Sequence, residues 1–256
     1  MPSTISSLID LGRSLQELSR KVFDKPVDKK IVGMGADGTV THEVDRVFDR
    51  AVLDYVRENG IPLNVVSEES GFTDLGFKES LIIDPIDGTF NAESGIPFYS
   101  FSCAVVKDTV SSASMAVVLD IPRGRMFHAV RNSGAFLDGH RISVSRRMVG
   151  CAIGGLGRSG HDHASPILNG GWRIRSLGCA SLELCLVAQG AADVMCYTGT
   201  GNYLRNVDVA GGVLILREAG GVALGDDFGE FDMGLDVRER KSIIGASSKE
   251  IAEVLR

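Results

Sequence analysis

The chain has 256 residues, of which 44% are hydrophobic and 23% charged, and it carries a net charge of −6 at pH 7. That suffices for one large domain or two intimate lobes around an ordinary globular core. The acidic balance, with no Lys/Arg cluster on any predicted element, argues against nucleic acid as a partner, and no apolar run approaches the roughly 20 residues of a membrane span.

Residues 5–23 place Ile5, Leu8, Ile9, Leu15, Leu18, Val22 and Phe23 mainly at helical spacing, which predicts an amphipathic first helix. The polar, mixed stretch Met1 to Asp10 lacks the basic-then-apolar order of a secretory leader, so a cytoplasmic location is expected. A glycine-rich loop follows at Gly33-Met34-Gly35-Ala36-Asp37-Gly38, with Thr39 and Thr41 as N-caps for a second helix over 42–58. Short apolar runs then predict strands at 62–67, 80–86, 100–107, 114–120 and 125–130. The turn signals Pro122-Arg123-Gly124, Asn132-Ser133-Gly134 and Asp138-Gly139 point to an antiparallel meander. From about residue 150 the pattern alternates: strands near 151–155, 173–177, 192–197 and 242–246, helices near 181–189, 207–219 and 248–255. This order implies layered sheets and helices around one cleft. Two lobes are expected, 1–148 and 149–256, acting as one compact catalytic unit.

The five cysteines (Cys103, Cys151, Cys179, Cys185, Cys196) show no metal-ligand spacing and read as reduced thiols. Cys151 and Cys185 are a candidate redox pair, against the more ordinary reading of small buried hydrophobes. His161-Asp162-His163 lies in a polar loop and reads as solvated.

The chemistry concentrates at Asp84-Pro85-Ile86-Asp87-Gly88-Thr89, which follows the apolar run Leu81-Ile82-Ile83. An unpaired carboxylate at the end of a buried strand costs several kcal/mol or stays protonated, so a cation is expected to compensate the pair. Glu68 ends another apolar run, and Asp208 opens a predicted helix. Carboxylates from separate strand ends and a helix start form a hard oxygen donor set suited to Mg²⁺.

Taken together, Glu68-Glu69-Ser70, the Asp84–Thr89 hexapeptide and Asp208 followed by Ala210-Gly211 resemble the signatures of the inositol monophosphatase superfamily. Gly35-Ala36-Asp37-Gly38-Thr39 and Asn202-Tyr203-Leu204-Arg205 are similar to its archaeal branch, whose members act on inositol phosphates and fructose bisphosphate. The resemblance implies the layered αβαβα sandwich of the sugar phosphatases, a homodimer, and two or three Mg²⁺ ions, with Mn²⁺ a possible substitute. By position, it implies Glu68, Asp84 and the Ile86 carbonyl as ligands of a first ion, and Asp84, Asp87 and Asp208 as ligands of a second. Thr89 would help activate the attacking water with Asp45 as its hydrogen-bond partner, while Asp87, Gly88 and Thr89 would hold the phosphate. Gly178, Cys179, Ala180, Tyr203 and Arg205 would contact the rest of a phosphorylated polyol or sugar. Cys179 stands where Thr or Ser is common in the family, and no glutamate lies near Gly201 as it does in the eukaryotic type.

Three alternatives bear on function. A phospho-aspartate phosphatase needs its two acids separated by one residue, and here two intervene. A bisphosphate nucleotide phosphatase would share the same hexapeptide. A non-catalytic sugar-phosphate-binding module would not need the full ligand set.

Overall fold

The structure, a computed structural model, describes residues 4–23, 30–155, 170–199 and 203–256. His161, Asp162, His163, Gly201 and Asn202 lie outside the described residues. Helix α1 (Thr4–Val22) buries Leu8, Leu11 and Leu15, the stripe expected from its periodicity. The glycine-rich segment is not a loop with threonine caps. It forms a hairpin of β1 (Ile31–Met34) and β2 (Val40–His42). The Asp37 carboxylate closes its turn by accepting the Thr39 backbone N–H at 2.8 Å and the Thr39 hydroxyl at 2.9 Å. Helix α2 (Glu43–Glu58) therefore starts after His42, whose N–H is held by Asp45 at 2.9 Å.

Strands β3 (Asn64–Ser67), β4 (Gly71–Thr73), β5 (Ser80–Asp87), β6 (Ser100–Val106), β7 (Met115–Asp120), β8 (Arg125–Val130), β9 (Gly134–Leu137) and β10 (His140–Ile142) form one sheet, in the order β10-β9-β8-β7-β6-β5-β3-β4. The expected meander is present from β5 to β10, and β3 runs parallel to β5. Helix α3 (Thr89–Glu93) is a short segment between β5 and β6. A second, five-stranded sheet has the order β12-β11-β13-β15-β14. It comprises β11 (Cys151–Gly154), β12 (Arg173–Arg175), β13 (Val194–Tyr197), β14 (Val222–Leu224) and β15 (Ile243–Ala246). The remaining helices are α4 (Ala180–Ala188), α5 (Asn206–Glu218) and α6 (Lys249–Glu253).

Helices α1 and α2 cover one face of the large sheet; α4 and α5 lie between the two sheets; α6 covers the outside of the small one. This is the αβαβα layering. Because both faces of the large sheet are covered, its central strands read as unbroken apolar runs. Leu81 and Ile83 pack toward α1 and α2, while Ile82 packs toward α4 and α5. The core between the sheets joins residues of both halves of the chain, from Val66 and Ile82 to Met195 and Ile243. No helix among the described residues is long and apolar enough to cross a membrane. All five cysteines are free thiols; Cys185 is fully buried and Cys151 partly so.

Candidate active site

Strand β3 ends at Ser67, which pairs in parallel register with Ile83, so Glu68, just past that end, comes level with Asp84 on the continuing β5. A bulge in β5 then sets the spacing of the hexapeptide. Asp84 pairs with Ser102 and Asp87 with Ser100, so three steps on β5 match two on β6. Side chains alternate faces along a strand, and residues three apart would normally point to opposite sides. The extra residue at Pro85-Ile86 cancels that alternation and returns both aspartates to one side. Proline lacks an N–H to lose from the ladder, which suits a bulge. The Asp84 carboxylate fixes the turn by accepting the Ile86 N–H at 2.9 Å.

Asp208 arrives from α5. This helix lies close against β6 because Gly211 faces the strand: a Cβ there would sit 2.7 Å from Ser102 Oγ and 3.1 Å from the Cys103 carbonyl. One oxygen from each of Glu68, Asp84 and Asp208 consequently falls within 4.8 Å of the others. Asp87 faces the start of α4. Its Oδ2 accepts the Ser181 N–H at 2.7 Å, the Ser181 hydroxyl at 2.6 Å and the Cys179 thiol at 3.2 Å. Cys179 is fully buried, so its side chain acts on Asp87.

The turn before α4 is pinned from two sides. Glu183, itself fully buried, accepts the N–H groups of Leu177 at 2.9 Å and Gly178 at 3.0 Å, and also the Tyr197 hydroxyl at 2.7 Å. Asn91 donates to the Leu177 carbonyl at 2.7 Å and so ties the turn to α3. Gly88 has φ +91°, and a Cβ would lie 3.1 Å from the Gly178 carbonyl. The hexapeptide therefore needs glycine both for its turn and for this close approach.

Crowding dominates the electrostatics. Burial, reinforced by Glu68, Asp87 and Asp208, holds Asp84 well above the usual carboxylate range. Burial also pushes Glu68 up to about 8, against the opposing pull of Arg205, and Asp87 up to about 6. Arg205 enters this cluster as a cation. Its Nη1 lies 2.8 Å from Asp37 Oδ2 and 2.6 Å from Glu68 Oε2, and its Nη2 lies 2.7 Å from Asp208 Oδ1. Arg240 reaches the same Asp37 oxygen at 3.2 Å. Oxygen donors packed this tightly, with no thiolate or imidazole among them, fit a hard divalent ion.

Thr89 and Asp45 line one recess together with Glu68, Glu69, Asp84 and Ile86. The Thr89 hydroxyl donates to the Ile86 carbonyl at 3.0 Å. Burial raises the pKa of Asp45. Glu69 accepts the Thr41 hydroxyl. Tyr203 is half-exposed and borders a second pocket with Asp226, Glu230, Arg240 and Lys241. Asp49 and Glu183 have no part in the sequence expectations, and Asp37 and Ser181 stand there only within the Gly35–Thr39 stretch and the turn before α4, without the following roles. Asp37 holds Arg205; Asp49 accepts the hydroxyls of Ser67 and Ser70 and steadies the Glu68-Glu69 corner; Ser181 and Glu183 organise the start of α4. Asp49 falls on the α2 face between Phe48 and Val52, and Glu183 sits inside an apolar helix, so a charge on an apolar face was the available clue.

The inositol monophosphatase family model matches residues 3–256. A fructose-1,6-bisphosphatase/inositol-1-monophosphatase of Archaeoglobus fulgidus is 35% identical over 91% of this chain and 90% of its own length. The protein of the same description from Methanothermobacter thermautotrophicus is 33% identical over 88% of this chain and 85% of its own length. Among solved structures, a Pyrococcus horikoshii protein described as similar to inositol-1 monophosphatase superposes with a TM-score of 0.83 at 28% identity, over 97% of this chain and 94% of its own. With the acidic cluster at the ends of β3 and β5 and the start of α5, these matches show that the chain belongs to the inositol monophosphatase family of metal-dependent phosphoric monoester hydrolases.

Proposed function

We propose that this chain is a Mg²⁺-dependent phosphomonoesterase acting on inositol 1-phosphate, fructose 1,6-bisphosphate or both. The observation that carries the reading is the convergence of Glu68, Asp84 and Asp208 within 4.8 Å. The substrate classes follow the descriptions of the archaeal relatives. Glu68, Asp84 and the Ile86 carbonyl would hold one ion, and Asp84, Asp87 and Asp208 a second; Mn²⁺ could replace Mg²⁺. Divalent ions bound there would neutralise phosphate oxygens and lower the pKa of water toward about 7.

The protein groups then have distinct tasks. Thr89 orients the water for in-line attack at phosphorus, and Asp45, beside it in the recess, takes up the proton. The amides of Gly88 and Thr89 receive the phosphate, and Asp87 joins them to the start of α4. The turn through Gly178, Cys179 and Ala180 offers backbone groups to the substrate ring. Tyr203, half-exposed, is placed to meet its distal hydroxyl or phosphate, whereas Arg205, expected there from the sequence, directs its donors to Asp37, Glu68 and Asp208. Lobes 1–148 and 149–256 work as one unit, in a cytoplasmic homodimer.

Phosphate release from inositol 1-phosphate, fructose 1,6-bisphosphate and 3′-phosphoadenosine 5′-phosphate at matched Mg²⁺ tests the substrate assignment. Faster release from either of the first two supports it, and preference for the nucleotide overturns it. Single turnover in ¹⁸O-labelled water should place the label in phosphate; label in a protein carboxylate would exclude water as the nucleophile.

A further inference from the structure

Arg205 is unusual in how little of its hydrogen-bonding capacity it leaves free. A guanidinium has five N–H donors. Here Nε donates to both oxygens of Asp208 at 3.2 and 3.1 Å, Nη2 to Asp208 Oδ1 at 2.7 Å, and Nη1 lies against Asp37 at 2.8 Å and Glu68 at 2.6 Å. The side chain is only 19% exposed. Glu68 and Asp208 are two of the three acids that converge at the candidate metal centre. The same carboxylates thus serve a guanidinium and are asked to serve a divalent ion.

We infer that Arg205 is an internal competitor for the metal carboxylates, and that it sets the cation affinity of the site below what the acids alone would give. The inference rests on the metal-dependent reading above. The four acids Glu68, Asp84, Asp87 and Asp208 with one guanidinium carry a net charge of −3, so one divalent ion leaves the centre negative and a second makes it positive. Further loading meets like charge unless the guanidinium withdraws from Glu68 and Asp208. Asp37 makes such a withdrawal possible, because it is a third partner outside the converging acids and Arg240 holds it in place. Like charges a few ångströms apart in a partly buried site repel strongly, because little water lies between them to screen the interaction. Arg205 therefore works as a positioning and affinity-setting residue.

The test is direct Mn²⁺ titration by calorimetry in alkaline buffer, with Mg²⁺-induced shifts in melting temperature as a second measure. Arg205→Gln should bind Mn²⁺ at least tenfold more tightly, and Mg²⁺ should raise its melting temperature more than it does for the parent chain. Arg205→Lys keeps the charge and should stay within about threefold of the parent. A merely structural arginine would give weaker or unchanged binding on substitution, and a folded Arg205→Gln variant of that kind overturns the inference. If Arg205→Gln does not fold, equal affinity in Arg205→Lys and Arg205→Met overturns it. Saturable Mn²⁺ binding to the parent chain that is lost in Asp84→Asn upholds the metal-dependent reading by itself; with no such binding, both readings fall together.

Discussion

Asp84 and Asp87 share one side of β5 because a bulge at Pro85-Ile86 sets three residues of β5 against two of β6, opposite Ser102 and Ser100. Function here depends on a local irregularity rather than on the regular sheet. The two acids are then differentiated by their neighbours. Asp84 joins Glu68 and Asp208, while Asp87 is bound by Ser181 and Cys179 at the start of α4.

The first prediction concerns Asp84. Burial and three neighbouring acids hold its pKa high, so the ionised form is under strain in the protein alone. Asp84→Asn should reduce Mg²⁺-dependent phosphate release at least a thousandfold. In chelating buffer the same variant should be more stable than the parent, by about 1–2 kcal/mol, because a crowded charge is removed. Denaturant titration with and without chelator checks this; loss of stability in both buffers would refute it.

Stability should also depend on pH in a sense opposite to that of salt-bridged acids. Unfolded carboxyls ionise near pH 4, whereas Asp87 holds its proton to about 6 and Glu68 to about 8. Between those limits the native state binds more protons than the unfolded chain. Stability in chelator should therefore be full below about pH 4 and fall as pH rises toward 8, by roughly 1.4 kcal/mol per unit for each group. Mg²⁺ favours the ionised forms, so its stabilising effect should grow over the same range. Urea titrations at several pH values measure both slopes, and a rising slope in chelator would contradict the assignment.

Much of this architecture is legible in the sequence itself. The central strands of the large sheet announced themselves because both faces are buried, which leaves unbroken apolar runs such as Leu81-Ile82-Ile83. Glu68, Asp84 and Asp208 stood out because each interrupts or ends such a run. The hairpin at β1–β2 was missed because its glycines suggest a loop, and its turn depends on one side chain, Asp37, folding back on Thr39. Arg205 reads in sequence as an open phosphate clamp. Its partner Asp37 is 168 positions away, and no local pattern carries that pairing. Glu183 gave no local pattern either, because it sits on helix α4 and its Tyr197 partner lies on strand β13.

Glu183 yields the third prediction. It shapes the turn at 177–179 without reaching the acidic cluster. Glu183→Gln can no longer accept from Tyr197 with a carboxylate oxygen, yet it still fills the site. It should cost about 1–3 kcal/mol of stability and raise KM severalfold, with a smaller fall in kcat. Tyr197→Phe should show the same KM shift at lower amplitude. A kcat-only defect in both variants would mean that this turn does not contact substrate.

Cys179 gives the fourth. Its thiol is buried, its pKa is pushed well up by burial and by Asp87, and it donates to Asp87 at 3.2 Å. The native protein should resist alkylation at this position and react only after unfolding. Cys179→Ser supplies a stronger donor and should leave activity within about threefold, whereas Cys179→Val removes the donor and should reduce it more. Mass spectrometry after a short iodoacetamide pulse reads the first outcome, and phosphate release reads the second. Rapid native labelling would place the thiol in the open cleft.

The last prediction tests how α5 delivers Asp208. Gly211 lies against β6, and any side chain there collides with Ser102 Oγ, at 2.7 Å from the modest Cβ of alanine. The Ser102 hydroxyl is buried and has no hydrogen-bond partner among the described residues, so removing it leaves no bond unmade. Gly211→Ala should push the helix away from the strand, cost about 1–3 kcal/mol and lower kcat by displacing Asp208 from Glu68 and Asp84. Ser102→Gly, by contrast, opens space on the facing strand. The double variant should therefore recover part of both stability and activity, with a coupling energy of about 0.5–3 kcal/mol as expected for residues in contact. A cycle measured by denaturant titration and by steady-state kinetics would show the two recoveries rising together. Additive losses in both readouts would mean that the fit between helix and strand does not set the position of Asp208.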